Sequence, residues 1–187
     1  MSIDSIFQTF PQIETKNLIL RKIRPTDAGA VFDMLADDEV TRYYDDDPFT
    51  DLSQASELVE FWNKGFERRQ CVRWGIVRRG SDSVMGSCGY YGFHTWHMRA
   101  SLGYELARPF WRQGIMTEAL SAIIKLGFQR AGLNRIQADV MPENRASVKL
   151  LEKLGLKNEG LLREYERWGS KGYVDLLMFS LLKREYT

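Results

Sequence analysis

The chain has 187 residues, 44% of them hydrophobic, and this length and composition predict one domain large enough to bury a full core. Its 26 basic and 25 acidic residues leave a net charge of +1, so no broad basic surface for DNA or RNA is expected. The two cysteines, Cys71 and Cys88, lack Cys-x-x-Cys or paired-histidine spacing, which argues against a disulfide framework and a zinc site and favours a reducing, cytoplasmic location.

The first half of the chain is predicted to contain four strands and two helices. Alternating hydrophobicity predicts an edge strand over residues 15–23, and Pro25 begins an amphipathic helix. A second helix covers residues 52–68, and the segment 37–48 between the helices is an acidic, proline-containing loop. The other strands of this half are predicted at residues 72–79, 83–93 and 99–107.

The second half begins with a helix whose apolar residues recur at spacings of three and four, from Met116 to Phe128, and which ends near Gly132. A strand at 136–141, a helix after Asn144 and two final strands complete a mixed sheet that helices cover on both faces. None of these stretches approaches the ~18 apolar residues of a membrane span, so no membrane association is expected.

An anion-binding turn is predicted directly behind the strand at 99–107. Residues 109–119 combine a turn, Gly114 and the start of a helix, so the amide hydrogens of residues 112–117 would converge at a helix N-terminus. Arg112 adds a cation beside them. The turn lacks the Gly-Lys-Ser/Thr of a P-loop and the three spaced glycines of a dinucleotide fingerprint, so a different phosphate-containing ligand is expected.

The segment behind the next strand resembles a known family. Asn144-Arg-Ala-Ser147 and the ending Glu152-Lys-Leu-Gly155 are similar to the Asn-x-x-Ser helix and the Glu-Lys-x-Gly-Phe ending of GCN5-related N-acetyltransferases (GNAT), and more narrowly of their ribosomal-protein acetyltransferase branch. The Gly-Tyr-Glu-Leu strand at 103–106 agrees in order and spacing. The resemblance implies an acetyltransferase domain over residues 14–187 and an N-terminal extension at 1–13.

This resemblance implies an α/β (α+β) fold with a mixed, mostly antiparallel sheet, helices on both faces and a splayed pair of parallel strands that holds acetyl-CoA, with CoA as product. A backbone N–H at the splayed strand would stabilise the oxyanion of the reaction. The cofactor-binding residues that it implies are Leu106, Ala107, Trp111, Arg112, Gln113, Gly114, Ile115, Met116, Thr117, Asn144 and Ser147.

Acetyl transfer to an amine needs a group that accepts the proton of the ammonium. Glu105 is one candidate, because strand alternation places its side chain on the other face of the strand from Leu102 and Tyr104. Glu166 is the other, because branch members carry a comparable glutamate that reaches across the substrate cleft. Ser147 is the candidate donor to the departing thiolate. No metal is expected.

The function predicted from this resemblance is acetyl-CoA-dependent N-acetylation of a primary amine, with a peptide or protein α-amino group as first choice. A small-molecule amine, such as an amino sugar or a polyamine, is the alternative acceptor. A non-catalytic acyl-CoA-binding module is the alternative from another class. Six carboxylates within residues 37–47 would attract a cationic acceptor, and relatives suggest a homodimer.

Overall fold

In the computed structural model, which describes residues 2–186, eight strands form one sheet. The strands are β1 (Ile13–Glu14), β2 (Leu18–Lys22), β3 (Val72–Arg78), β4 (Val84–His94), β5 (Arg99–Leu106), β6 (Arg135–Val140), β7 (Lys157–Trp168) and β8 (Gly172–Leu182). The α-helices are α1 (Ala28–Leu35), α2 (Asp38–Thr41), α3 (Leu52–Glu67), α4 (Ile115–Gln129) and α5 (Arg145–Lys153).

The sheet is mixed and mostly antiparallel, as predicted. Its strand order is β1-β2-β3-β4-β5-β6-β8-β7, and β5–β6 is the parallel pair between otherwise antiparallel neighbours. The apolar side of α4, with Leu120 and Ile123, packs in the main core with Trp74 of β3. A second core, which contains Val31 of α1 and Val59 of α3, covers the other face.

The parallel strands β5 and β6 stay together for only three residue pairs. Arg99 pairs with Arg135, Ala100 with Ile136 and Ser101 with Gln137. Beyond this point β5 continues to pair with β4 as far as Leu106, whereas β6 continues to pair with β8. The two strands therefore diverge and leave a gap in the sheet, which confirms the predicted splay.

Two local predictions were wrong. The stretch 15–23 forms not one edge strand but parts of a hairpin, because Thr15 N–H donates to the Leu18 carbonyl at 2.9 Å and turns the chain; β1 is the edge. The acidic segment contains the short helix α2, because the Asp37 side chain accepts from Glu39 N–H at 3.0 Å and caps it.

The first residues pack against the rest of the protein. Ile3 and Ile6 are buried in the main core, and Ser5 Oγ donates to the Arg130 carbonyl at 3.0 Å. Residues 3–14 therefore contribute to the same core as the predicted domain, and the boundary at Glu14 stays a prediction. Across residues 2–186, no helix has the length and apolar character needed to cross a membrane.

A pair of helical glycines tests the packing of α4 on the sheet. A Cβ at Gly127 would lie 2.6 Å from the Tyr90 hydroxyl, which donates to the Ile123 carbonyl, whereas a Cβ at Gly29 of α1 would meet nothing within 4 Å. We expect Gly127→Ala to lower stability by about 1–3 kcal/mol despite its better helix propensity. Gly29→Ala should be neutral or stabilising in the same urea titration, and equal midpoints for both variants would contradict this packing.

Candidate active site

A cavity of about 740 Å³ lies where the gap between β5 and β6 meets the first turns of α4 and α5. Its walls come from residues 104–106 of β5, 110–117 at the start of α4, 144–150 of α5 and 39–44 around α2. Its volume suits a ligand of cofactor size. The predicted cofactor residues that line it are Leu106, Trp111, Arg112, Gln113, Gly114, Ile115, Met116, Thr117, Asn144 and Ser147.

The N-terminus of α4 presents free amide donors to this cavity. Gly114 has φ +77° and caps the helix, and the Glu118 N–H donates to the Gly114 carbonyl at 3.0 Å. The N–H groups of residues 115–117 precede that bond and so lack intrahelical acceptors. A Cβ at Gly114 would meet no protein atom within 4 Å, so this side of the turn is open to a ligand. The arrangement fits the pyrophosphate of acetyl-CoA.

Four cationic side chains line the same cavity: Arg42, Arg112, Arg145 and Lys149. Of these, the sequence prediction named only Arg112. Arg145 and Lys149 are one turn apart on α5, and their place directly after Asn144 was the signal that could have identified them. Their charges complement an anionic ligand and strengthen the fit to a phosphate-containing cofactor.

Some of the predicted contacts are already used within the protein. The Trp111 indole N–H donates to the Leu106 carbonyl at 2.6 Å, and the Ala107 N–H donates to the Met85 carbonyl at 2.9 Å. Gln113 accepts from Arg78 and donates to Pro109. Trp111 and Gln113 therefore shape the turn. The Ala107 amide is therefore not free to pair with a ligand strand or to stabilise an oxyanion, and Ala107 is not among the lining residues.

Asn144, Ser147 and Tyr104 form the wall beside α5. The Asn144 side-chain oxygen accepts from Ser147 N–H at 3.1 Å, which confirms that Asn144 caps this helix. Burial raises the pKa of Tyr104 to about 12, and a side-chain hydrogen bond with Ser147 opposes that rise. Tyr104 therefore stays protonated near neutral pH. It was missed in the sequence because it alternates with core residues.

Glu105 lies on the opposite face of β5, buried and fully engaged. One carboxylate oxygen pairs with the Arg73 guanidinium and the other accepts from Ser87 Oγ. Arg73 also lies over the Trp62 ring, 5.2 Å from its centroid. Glu105 nevertheless lines the cavity together with Tyr104, so the cavity extends to both faces of the sheet at this end of β5; its role as proton acceptor stays a prediction. Both carboxylate oxygens are therefore occupied by contacts within the protein.

Glu166 lies elsewhere, on the exposed part of β7, where it accepts from Trp168 Nε1 at 2.9 Å. It acts on Asp139 of β6, whose pKa is raised to about 6 by burial first and by the charges of Glu166 and Asp45 next. The Tyr91 hydroxyl donates to Asp139 Oδ1 at 3.5 Å. Sequence reasoning missed Asp139 and Tyr91, because they are 48 residues apart and meet only across the sheet.

Some of the acidic residues at 37–47 form contacts with other parts of the protein. Asp47 accepts from the hydroxyl of Ser170 at 2.6 Å, and Asp37 pairs with Arg108 at 3.1 Å. Burial raises the pKa of Asp45, with Asp46 adding to the rise. The charge of Asp45 also raises the pKa of Asp139, which places Asp45 on the Asp139 side of the sheet. Within residues 2–186, no cluster of three or more candidate ligands could hold a metal ion.

The helix-terminus site is tested by two glycines with the same backbone conformation at the two ends of α4. Gly114 has φ +77° and Gly132 has φ +71°, so alanine strains both equally. We expect Gly114→Ala to weaken CoA binding by about tenfold or more in calorimetry, because the amide donors turn away. Gly132→Ala should lose similar stability and keep the CoA affinity; equal affinities in the two variants would contradict a ligand at Gly114.

Residues 17–157 match the family model described as Acetyltransferase (GNAT) domain. The N-acetyltransferase p20 of Bacillus licheniformis, which its name calls uncharacterized, is 43% identical over 173 residues, 92% of this chain and 96% of that protein. The ribosomal protein uS5-alanine N-acetyltransferase of Escherichia coli strain K12 is 38% identical over 89 residues, 48% of this chain and 41% of that protein. In fold, the chain is similar to RimL, a ribosomal L7/L12 alpha-N-protein acetyltransferase solved with coenzyme A, with a TM-score of 0.82 at 19% identity over 92% of this chain and 98% of that one. The chain therefore belongs to the GNAT acetyltransferase family and is an N-acetyltransferase that uses acetyl-CoA.

Proposed function

We propose that the acceptor is the α-amino group of a peptide or protein. The observation that carries this proposal is the polar face beyond the β5–β6 gap, where the exposed Tyr91 and Glu166 adjoin Asp139 and Asp45. Carboxylates on an open face attract a cationic amine, and an open face admits a chain end that continues past the site. The match to an enzyme named as a ribosomal protein uS5-alanine N-acetyltransferase supports the same class of acceptor.

In this proposal the chain's own groups divide the work between binding, positioning and proton transfer. Bound acetyl-CoA supplies the activated acetyl group. The amides at the start of α4 hold its pyrophosphate, and the Asn144 amide nitrogen is directed to its arm. Ser147, steadied by Tyr104, donates a hydrogen bond to the sulfur that leaves. Glu105 orients Arg73 through their ion pair.

A carboxylate must also take the proton of the acceptor ammonium. Of the two predicted glutamates, Glu105 has both oxygens engaged by Arg73 and Ser87, whereas Glu166 accepts a bond from Trp168 at one oxygen and lies on the exposed face. The geometry thus supports the Glu166 side of the gap as the place of proton removal.

An acceptor panel tests this function. We expect peptides with a free α-amino group to react and release free thiol from acetyl-CoA. Their kcat/KM should be about tenfold or more above the values for spermidine and glucosamine. It should exceed by a similar factor the value for peptides that contain lysine but are blocked at the N-terminus. Mass spectrometry should place the acetyl group on the terminal nitrogen. Preference for spermidine or glucosamine would support the small-molecule alternative, and CoA binding without turnover across the panel would support the non-catalytic module.

The Ser147 hydroxyl is tested by a double-variant cycle with Tyr104. Ser147→Ala should lower kcat about 10- to 100-fold with little change in CoA affinity, because the hydroxyl acts on the departing sulfur. Tyr104→Phe should lower kcat less. If the two hydroxyls act as a unit, the double variant will be no slower than Ser147→Ala, and strictly multiplicative losses would argue for separate roles.

A cytoplasmic location and a homodimer belong to the same proposal. Cys71 and Cys88 are both free thiols, which suits a reducing compartment. For the dimer, the hairpin of β7 and β8 exposes Leu161, Tyr165 and Tyr173, large apolar side chains of the kind found at subunit contacts. Sedimentation of the purified chain would measure this association.

A further inference from the structure

We propose that Asp139 is the group that takes the proton from the acceptor ammonium, and that Glu166 is a positioning residue that acts through Asp139. This inference rests on the proposed amine acceptor and deepens it, because it names the proton acceptor at the same site. In place of Glu105 or Glu166 as the proton acceptor, Asp139 accepts the proton and Glu166 positions it.

The register of the sheet places Asp139 at the opening of the gap. The last β5–β6 pair joins Ser101 to Gln137. Side chains alternate along a strand, so Asp139 is the next residue of β6 on the face of Gln137, while Ala138 and Val140 are buried on the other side. Asp139 is therefore the first β6 side chain beside the gap on the polar face.

The proton acceptor and the proton donor then lie on opposite faces of the sheet. Tyr104 and Ser147 line the cavity beside α5. Tyr104 alternates with Glu105, which is on the polar face with Arg73 and Ser87 and also lines the cavity, so the cavity reaches both faces at this end of β5. An amine that approaches along the polar face would reach the gap from the Asp139 side, and the acetyl group would reach it from the Ser147 side, so the two reactants meet across the opening.

The groups that face Asp139 come from three other elements. They are the Tyr91 hydroxyl from β4, the Glu166 carboxylate from β7 and the Asp45 carboxylate from the segment between α2 and α3. On the neighbouring strand β8, Asp139 pairs with the apolar Met178. Burial raises the pKa of Asp139 to about 6, Glu166 and Asp45 add to the rise, and hydrogen bonds from its own backbone and from Tyr91 oppose it.

These surroundings suit proton transfer near neutral pH. Asp139 is ionised above pH 6, yet it is a stronger base than an ordinary aspartate, and catalytic efficiency rises as the pKa of the base nears the working pH. One N–H bond of the ammonium breaks and an O–H bond forms on Asp139, which frees the nitrogen lone pair. The nitrogen–acetyl bond then forms as the acetyl–sulfur bond breaks. The nitrogen releases its second proton to water, the thiolate takes a proton from water on the Ser147 side, and Asp139 returns its proton to water.

The pH dependence of kcat with the best acceptor of the panel tests this assignment. In the wild-type protein, kcat should rise with pH through about 6, which forms the acidic limb of the profile. Asp139→Asn should lose this limb, and its kcat should fall by about 100-fold or more. Glu166→Gln should move the limb to lower pH, because a charge that raises the pKa is removed. Tyr91→Phe should move it to higher pH, because a hydrogen bond that lowers the pKa is removed. Deprotonation of the acceptor ammonium adds a second limb to the pH profile of kcat. This limb can be distinguished because its position changes when an acceptor with a different pKa is used.

A stability measurement supplies an independent readout for Asp139. Its folded pKa lies above its unfolded value, so ionisation destabilises the folded protein above about pH 6, and this cost disappears as the pH falls below the unfolded pKa. Asp139→Asn should therefore raise the melting temperature at pH 8 relative to wild type and leave it nearly unchanged at pH 4. CoA affinity should be the same in all of these variants.

Two results would overturn the inference: an Asp139→Asn variant that keeps kcat within about threefold of wild type, or limb positions that do not move in opposite directions in Glu166→Gln and Tyr91→Phe. If Asp139→Asn does not fold, the opposite shifts of the limb in Glu166→Gln and Tyr91→Phe are sufficient to test the inference. Turnover with an unmoved limb rejects Asp139 and keeps the proposed function. An acceptor panel without peptide turnover rejects the peptide acceptor, and the limb is then measured with whichever amine reacts.

Discussion

The divergence of β5 and β6 after three residue pairs is the constraint on which the rest of the structure depends. Parallel strands normally satisfy their backbone groups on each other, so a gap in the middle of a sheet needs support from both sides. Here β4 holds β5 as far as Leu106, and β8 holds β6 as far as Val140. Each strand is hydrogen-bonded to a neighbour on its outer edge, and the two inner edges face the gap.

That gap also divides the chemistry between two faces of one sheet. On one side, the helix N-termini at Gly114 and Asn144 converge with basic side chains, an arrangement that suits an anionic cofactor. On the other side, carboxylates face the opening. The buried pair of Arg73 and Glu105 is on this second face, and a carboxylate is tolerated there because its charge is matched.

Much of the cofactor side could be predicted from local sequence, because a helix N-terminus is a local structure. The positive φ of Gly114, the cap at Asn144 and the spacing of the apolar residues in α4 depend on residues within a few positions of each other. The acceptor side could not be predicted in this way. Burial raises the pKa of Asp139 to about 6, and the charges of Glu166 and Asp45, which are distant in the chain, add to the rise.

The local sequence was sufficient to predict the class of fold, the positions of α3, α4 and α5 and the turn before α4, because periodicity, caps and glycine conformations are short-range properties. Other contacts could be seen only in the folded protein: Arg73 pairs with Glu105, the Trp111 indole donates to the Leu106 carbonyl, and Tyr91 donates to Asp139. Strand register sets which side chains face each other, and charge and burial then act over those distances rather than along the chain.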